Sequence, residues 1–305
     1  MRKTLWGIDL GGTKAEGVVL DAENDFSVLS RLRLPTESGK GYGHVVDRIY
    51  KLIKMLKAET GLQPDVIGIG TPGALDPITE TLKNSNTVCL NGMPLKKDLE
   101  EKCGLPFRIA NDANCFAMAE THLGAVKEAF PKSEVIFGVI MGSGVGGGLV
   151  VNGRVVQGRQ GIAGEWGHNF LDESGGLCYC GKTGCVETVI SGPALERYYQ
   201  TLDAKYERLT LKDIVQRHHT GTDQCAAKTM QRLFHFFGKA IAVVINIVDP
   251  DVILLGGGVG NIDSLYTEGV EQAKKHVFNN RFDTIFLKPK LGDSAGVFGA
   301  AMLVL

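Results

Sequence analysis

The sequence predicts an α/β fold made of two tandem domains with a ligand-binding cleft between them. The order hairpin, helix, strand, helix occurs twice, the second time from about residue 135. Each hairpin contains a glycine-rich turn, at residues 11–12 in the first and at 142–148 in the second. A chain of 305 residues is long enough for two hydrophobic cores. A cleft between two domains is a common place for a ligand.

Apolar patterning and turn residues predict the elements of the first domain. Residues 5–10 and 17–20 flank the first glycine turn, which indicates a β-hairpin. Apolar residues recur at helical spacing over 45–56, and Gly61 ends that helix. The remaining elements are a strand at 66–69 that leads into Thr71-Pro-Gly73, a strand at 107–110, and a helix, capped by Asn111 or Asp112, that runs to about residue 123.

The second domain repeats this order. A strand at 135–140 precedes the glycine-rich run, and residues 149–151 and 155–156 predict a hairpin turned at Asn152-Gly153. The remaining elements are an irregular segment at 160–190, a long helix at about 224–247, a strand at 252–255, a helix at about 263–277 and a closing helix at 296–305. We therefore expect domains at 1–115 and 116–292, with a C-terminal helix, about 293–305, that packs back on the first domain.

The composition indicates an ordinary globular chain. Hydrophobic residues make up 44% and charged residues 22%, and the net charge of -1 lacks the basic excess typical of nucleic-acid-binding proteins. No apolar run is long enough to span a bilayer. The apolar stretch near the N-terminus is cut by Asp9 and is too short for a signal peptide. We expect a cytoplasmic protein without a nucleic-acid or membrane partner.

Both glycine turns are candidate phosphate-binding loops. In Asp9-Leu-Gly-Gly-Thr-Lys14, the glycines let backbone N–H groups face an anion, Thr13 and Lys14 add donors, and Asp9 could hold a metal ion through water. The run at 142–148 contains G-x-G-x-x-G, but a β-like segment follows it, whereas a dinucleotide-binding fold requires a helix there. Two loops that close on one polyphosphate are the favoured interpretation, and two glycine hairpins without a ligand are the alternative.

His168, Cys178, Cys180 and Cys185 form the sharpest local constellation. Three of the seven cysteines lie within eight residues, so one short loop can bring their sulfurs together, and His168 can complete a tetrahedral Zn²⁺ site. No ligand position is left open, which indicates a structural ion. The alternative is a set of free buried cysteines, as expected for the other four.

Asn111-Asp-Ala-Asn114 lies where a strand meets a helix. A carboxylate at Asp112 could accept a hydroxyl proton, and the positive end of the helix dipole would keep it ionised. Plain N-capping is the alternative, and the segment alone favours it. Glu165, His168 and Glu187 flank the cysteine loop and are candidates for binding hydroxyl groups, or else solvated loop residues.

Together these motifs resemble the ROK family (repressors, uncharacterised reading frames and sugar kinases). The matching segments occur in the family's order over nearly the whole chain: Asp9-Leu-Gly-Gly-Thr-Lys14, Asn111-Asp-Ala-Asn114, Gly142-Ser-Gly-Val-Gly146, Glu165-Trp-Gly-His168, Cys178-Tyr-Cys-Gly-Lys-Thr-Gly-Cys185 with Glu187, and Gly256-Gly-Gly-Val259. Within the family, Lys83-Asn-Ser-Asn86, Leu90-Asn-Gly92 and Glu165-Trp-Gly-His-Asn169 look most like bacterial fructokinases of the manno(fructo)kinase type, and N-acetylglucosamine kinases are next.

The resemblance implies an actin-like ATPase fold, in which two ribonuclease-H-like domains hold ATP between them, and Mg²⁺-dependent phosphorylation of a hexose. It implies that Asp112 is the general base and that the sugar is bound by Gly73, Asn86, Asn111, Asp112, Glu165, His168 and Glu187. It implies that ATP is bound by Asp9, Gly11, Gly12, Thr13, Lys14, Gly142, Ser143, Gly144, Val145, Gly146, Gly256, Gly257 and Gly258. It also implies a structural zinc ion on His168, Cys178, Cys180 and Cys185.

Fructose is the expected substrate, with mannose or glucose weaker, and an N-acetylglucosamine kinase or glucokinase is the alternative. The amides of Asn84, Asn86 and Asn91 suit sugar hydroxyls, whereas apolar residues over 88–93 could form a recess for an N-acetyl methyl group. A sugar-responsive repressor is disfavoured because the eight residues before Asp9 cannot form a helix-turn-helix. A catalytically inactive sugar-binding module is disfavoured by the intact motifs. We also expect a homodimer.

Overall fold

The computed structural model describes residues 3–202 and 208–305, which form two compact units. The first unit comprises Met1–Lys132, Gly148–Ala163 and Pro289–Leu305, and the second comprises Ser133–Gly147 and Gly164–Lys288. A boundary near residue 115 would fall inside a helix, Asp112–His122. Each unit is assembled from stretches that are separate in the sequence, three in the first unit and two in the second.

The strands are β1 (Thr4–Leu10), β2 (Lys14–Asp21), β3 (Ser27–Pro35), β4 (Ile67–Thr71), β5 (Ala74–Leu75), β6 (Leu82–Lys83), β7 (Phe107–Asn111), β8 (Val135–Met141), β9 (Val145–Val151), β10 (Arg154–Val155), β11 (Val252–Gly256) and β12 (Ile285–Leu287). The α-helices are α1 (Tyr42–Thr60), α2 (Leu95–Cys103), α3 (Asp112–His122), α4 (Ala125–Ala129), α5 (Val186–Ile190), α6 (Gly192–Leu202), α7 (Leu211–Thr220), α8 (Gln224–Val248), α9 (Gly257–Gly260), α10 (Glu268–Lys274) and α11 (Ala295–Met302).

The first sheet has the strand order β3-β2-β1-β4-β7. Strand β1 is antiparallel to β2 and parallel to β4, and β4 is parallel to β7. In this register Asp9 lies opposite Gly70, and Thr71 lies opposite Asn111. The carboxyl ends of three parallel strands therefore meet at one edge of the sheet, where open α/β sheets place their ligands.

Helices cover both faces of the first sheet. The buried side of α1 contributes Val45, Val46, Ile49, Leu52, Ile53 and Leu56 to the core. Helix α11 approaches β1 and β4 closely because both strands present glycine. An added Cβ would lie 1.8 Å from the carbonyl oxygen of Ala300 at Gly68, and 2.4 Å from the Ala301 nitrogen at Gly7.

The second sheet has the order β10-β9-β8-β11-β12, with β11 parallel to both β8 and β12. The predicted hairpin turn at Asn152-Gly153 has positive φ at both residues, 50° and 72°, as a type I′ turn requires. The prediction of an α/β fold is confirmed. Strand β3 and helices α2, α6 and α7 were not predicted, and the expected helix at 263–277 is a 3-10 turn, Asp263–Tyr266, followed by α10.

Helix α8 is long and apolar enough to cross a membrane by length and composition alone. Charged residues interrupt its sequence, so this helix contains no continuous apolar run of that length. Half of its most apolar window is buried inside the protein, as in the core helix of a globular unit.

Candidate active site

The first glycine turn joins β1 to β2 and is held by side chains that follow β3. The Thr36 hydroxyl donates to the carbonyl oxygen of Gly11 at 2.7 Å, and the Ser38 hydroxyl donates to that of Gly12 at 2.9 Å. The turn is thus fixed through its carbonyl groups. Its exposed residues are Gly12, Thr13 and Lys14.

Asp9 ends up in a concentration of negative charge near the end of β1. The pKa of its carboxyl is raised to about 6, chiefly by burial and then by the charges of Asp112 and Glu16, while Lys14 opposes the shift. Behind it, an added Cβ at Gly296 of α11 would lie 2.8 Å from Asp9 Oδ2. Carboxylates this close together repel one another when both are ionised. A hard divalent cation such as Mg²⁺, which prefers carboxylate oxygens as ligands, would offset that repulsion.

Asp112 is the first residue of α3, and Asn111 is the N-cap. Asn111 Oδ1 accepts a hydrogen bond from the Asn114 N–H at 2.8 Å. Asp112 Oδ1 accepts one from the Ala113 N–H at 2.8 Å. Burial raises the pKa of Asp112, while backbone hydrogen bonds oppose that shift. Asn111 is thus the N-cap residue, and the Asp112 side chain, although it also accepts a backbone N–H, is exposed.

Gly73 lies against the loop that contains the asparagines expected to meet the sugar. An added Cβ at Gly73 would lie 2.7 Å from the carbonyl oxygen of Lys83. Within the loop, Asn91 Oδ1 accepts from the Ser85 N–H at 2.8 Å, and Asn91 Nδ2 donates to the Ser85 carbonyl oxygen at 2.9 Å. Asn91 therefore stabilises the loop, whereas Asn86 is exposed.

The second glycine turn joins β8 to β9 and is bound to α5 through Glu187. The Val145 N–H donates to Glu187 Oε2 at 2.9 Å, and an added Cβ at Gly144 would lie 2.5 Å from the same oxygen. The Gly142 N–H donates to the Gly144 carbonyl oxygen at 2.9 Å, which leaves Ser143 at the exposed tip. The Val145 N–H, expected to bind phosphate, is thus paired with a carboxylate in this structure.

The segment that carries Glu165 packs directly on this turn. Trp166 Nε1 donates to the Gly146 carbonyl oxygen at 3.1 Å. An added Cβ at Gly167 would lie 2.0 Å from the Val145 carbonyl oxygen. The 3-10 turn Trp166–His168 is therefore fixed against the start of β9.

A third glycine segment follows β11. Gly257 has a φ of +80°, and an added Cβ there would lie 2.3 Å from the Met141 carbonyl oxygen at the end of β8. An added Cβ at Gly142 would lie 3.9 Å from the Gly258 nitrogen. The 142–146 turn and the segment at Gly256, Gly257 and Gly258 consequently lie side by side within the second unit.

His168, Cys178, Cys180 and Cys185 converge as the spacing predicts. Their ligand atoms all lie within 4.8 Å of one another. Cys180 Sγ is 3.6 Å from Cys185 Sγ, and Cys178 Sγ is 3.6 Å from His168 Nδ1. Tetrahedral zinc, with bonds of about 2.0–2.3 Å, places its ligand atoms roughly 3.5–3.8 Å apart, so the donor set fits that ion.

A model of the ROK family matches residues 5–305. The chain belongs to the ROK family. The N-acetyl-D-glucosamine kinase of Pasteurella multocida is 34% identical over 312 residues, which cover 98% of this chain and 99% of that protein. The enzyme of the same name from Aliivibrio fischeri is 35% identical over 308 residues, with 98% of each chain covered.

Two solved structures extend the comparison for this ROK protein. A ROK hexokinase from Thermus thermophilus has a TM-score of 0.86 at 31% identity, with 99% of this chain and 97% of that chain covered. A ROK family glucokinase from Streptomyces griseus, in complex with glucose and AMPPNP, has a TM-score of 0.74 at 28% identity, with 99% of each covered. The expected actin-like ATPase fold is confirmed.

The residues predicted from the sequence to form the site are found in both units. The first unit holds Asp9, Gly11, Gly12, Thr13, Lys14, Gly73, Asn86, Asn111 and Asp112, and the second holds the 142–146 and 256–258 glycines, Glu165, His168, Glu187 and the cysteines. Two neighbours of these residues were not predicted from the sequence. Glu16 is a buried carboxylate beside Asp9, and the hydroxyl of Tyr179 lies 3.0 Å from His168 Nε2. The place of Tyr179 between two cysteines was the available signal for the latter.

Proposed function

We propose that this ROK protein is an ATP-dependent sugar kinase with Asp112 as its general base. The observation that carries the proposal is the carboxylate of Asp112 at the junction of β7 and α3, where the side chain of Asn111 caps the helix and the side chain of Asp112 is exposed. Relatives at 33 to 35% identity over 98% or more of the chain are named N-acetyl-D-glucosamine kinases. A sugar kinase needs such a base at its substrate hydroxyl.

Asp112 would take the proton of the sugar hydroxyl as the hydroxyl oxygen attacks the γ-phosphorus of ATP. The new O–P bond forms while the bond to the ADP oxygen breaks, and the proton stays on Asp112 until solvent removes it. The positive end of α3 favours the ionised carboxylate, and burial strengthens its pull on the proton. General-base assistance contributes typically about 10²–10⁴-fold.

The glycine turns would bind the phosphates of ATP through backbone N–H groups, with Lys14 adding a charge at the first turn. Asp9 is the residue that would hold Mg²⁺, directly or through water. When bound, that ion neutralises charge on the phosphate oxygens. Gly256, Gly257 and Gly258 would lie near the adenosine.

We further propose that His168, Cys178, Cys180 and Cys185 hold a structural zinc ion. All four ligand positions are filled by side chains, so the site has no position open for catalysis. Its effect would be to fix the loop between Glu165 and Glu187, both proposed to bind sugar hydroxyls with Gly73, Asn86 and Asn111.

N-Acetylglucosamine is the substrate we propose first, in place of the fructose expected from sequence motifs. The names of the relatives above favour it. Asn91, part of the segment that suggested fructose, uses one acceptor and one donor position of its amide within its own loop. Fructose stays the second candidate, because the segments 83–86, 90–92 and 165–169 resemble fructokinases.

The test is a panel of N-acetylglucosamine, fructose, mannose and glucose with MgATP, followed by ADP release. We expect the highest kcat/KM with N-acetylglucosamine. A highest value with fructose would transfer the assignment to the second candidate. An absence of sugar-dependent ADP release across the panel and related amino sugars would overturn the kinase proposal.

A further inference from the structure

An open cavity of about 780 Å³ lies in the first unit, along the edge strand β7. Its floor is apolar and includes Phe107, Ile109, Met118 and Met302, all of which are buried. The volume is within the range of cavities that take small molecules, about 300–1,000 Å³. None of its lining residues belongs to the sugar, nucleotide or zinc residues proposed above.

The rim of this cavity is cationic. Lys96, Arg108 and Arg154 line it together with His122, and its lining contains no Asp or Glu among the described residues. For a chain of net charge -1, this is a local excess of positive charge with an apolar floor beneath it.

One of the rim cations, Arg108, is held in place by a backbone carbonyl group. Arg108 Nη1 donates to the Leu303 carbonyl oxygen at 2.9 Å, which orients the guanidinium and leaves its other N–H groups for a ligand. Within residues 3–202 and 208–305, no ion pair involves Arg108 or Arg154. Lys96 Nζ is 3.7 Å from Glu100 Oε1 and 4.0 Å from Glu80 Oε1, so the two arginines carry the proposal.

The walls of the cavity are polar groups that already have partners. His122 Nε2 is 2.9 Å from the Gly153 carbonyl oxygen, which ties α3 to the turn between β9 and β10. Gln157 Nε2 donates to the Ile109 carbonyl oxygen at 2.8 Å and so occupies an outer backbone group of the edge strand. Because this carbonyl group is already bonded, it is not available to pair with an added strand. The charged side chains of the rim are then the groups that could bind a ligand.

We propose that this cavity binds a small organic anion, in which a phosphate or carboxylate group meets Arg108 and Arg154 and a compact body covers the apolar floor. The planar guanidinium of Arg108 can pair with either group through two parallel N–H bonds. A neutral sugar offers no such group and is not a ligand for this cavity.

The experiment is isothermal titration of the full chain, at low salt and with saturating MgAMPPNP, using glucose 6-phosphate, citrate and glucose as probes. The variants are Arg108→Glu and Arg154→Glu, both at exposed positions, and folding is checked by circular dichroism. Lys97→Glu is the matched control, because it makes the same charge change on α2, beside Lys96, at a residue that does not line the cavity.

We expect saturable binding of one anion per chain, with a loss of at least about tenfold in affinity in each arginine variant but not in Lys97→Glu. Any binding of glucose, at the proposed sugar site, should be the same in the wild type and in all three variants. Tighter binding of glucose 6-phosphate than of citrate assigns the ligand group as phosphate, and the reverse assigns it as carboxylate. Absence of saturable binding, or equal weakening in all three variants, would overturn the proposal. If MgAMPPNP itself does not bind, the kinase proposal fails, and the cavity is still tested by the same titration without it.

Discussion

At the scale of single residues, the site depends on carboxylates that the fold makes hard to ionise. Burial raises the pKa of both Asp9 and Asp112, and Asp112 also raises that of Asp9. Loss of hydration around a charge reduces stability, whereas a raised pKa makes a carboxylate a stronger base. The raised pKa values of Asp9 and Asp112 therefore lower the stability of the folded protein at neutral pH while suiting the roles proposed for them.

Asp112→Asn is expected to fold, to bind sugar and nucleotide, and to lose at least about 10²-fold in kcat. The amide keeps the shape of the side chain but cannot take a proton. Steady-state kinetics and calorimetric titration of both ligands measure the two effects. Asp65→Asn, at an exposed position of the same unit, is the control, and near-wild-type turnover in Asp112→Asn would remove the base assignment.

Asp9→Asn is expected to raise the melting temperature at pH 7.5 and to leave it unchanged at pH 4. The pKa of Asp9 is about 6 in the folded protein against a usual 3.8, so the folded state holds this proton more tightly. Stability is therefore lost as pH rises from about 4 through 6, and the amide removes that loss. Thermal unfolding at both pH values measures it, and an equal gain at both would contradict the assignment.

At the scale of elements, the cysteine loop and the second glycine turn behave as one assembly. The Val145 N–H bond to Glu187, the Trp166 bond to Gly146 and the close approach of Gly167 all join them. Any change that loosens the loop should therefore disturb the turn.

Cys180→Ser is expected to lower zinc content from about one ion per chain, the melting temperature and the affinity for sugar together. Elemental analysis, thermal unfolding and sugar titration measure these. Cys225→Ser, at a cysteine outside the cluster, is the matched control. Wild-type protein without zinc but with full activity would contradict the role given to the ion.

Glu120 joins α3 to the start of α4 and to the segment that precedes α11. It is 0% exposed, and its carboxylate accepts the N–H groups of Ala125, Lys290 and Leu291. Glu120→Gln would turn an NH₂ group towards these donors, so we expect a loss of about 2–4 kcal/mol in the free energy of unfolding. In chemical denaturation, Glu128→Gln, which breaks only an exposed pair with Lys290, should stay within about 1 kcal/mol; equal losses would contradict this account.

At the scale of the whole molecule, a substrate that binds the folded state stabilises it by mass action, by about 2.7 kcal/mol at 100 times its Kd. We expect the four sugars of the panel to raise the melting temperature in the order of their affinities, with N-acetylglucosamine highest. Thermal unfolding at one fixed sugar concentration measures this. A sugar that is turned over well but gives no shift at saturation would contradict it.

The sequence by itself determined the features that short stretches of chain encode. The turn at Asn152-Gly153, the Asn111 cap and the cysteine spacing need only local geometry, so their patterns could be recognised, and the α/β fold and the ROK family followed from their order. Helices α6 and α7 were not predicted, because each is short and its amphipathic pattern covers few turns.

Only the tertiary structure decided what depends on distant residues. Asp9 acquires its raised pKa from burial and from Asp112, far along the chain, and the Val145 N–H meets Glu187 only after folding. The first unit takes in residues 148–163, for which the sequence offered no signal, as well as the C-terminal residues 289–305. Burial, charge and hydrogen-bond pairing are sums over neighbours in space, and a linear pattern does not contain those neighbours.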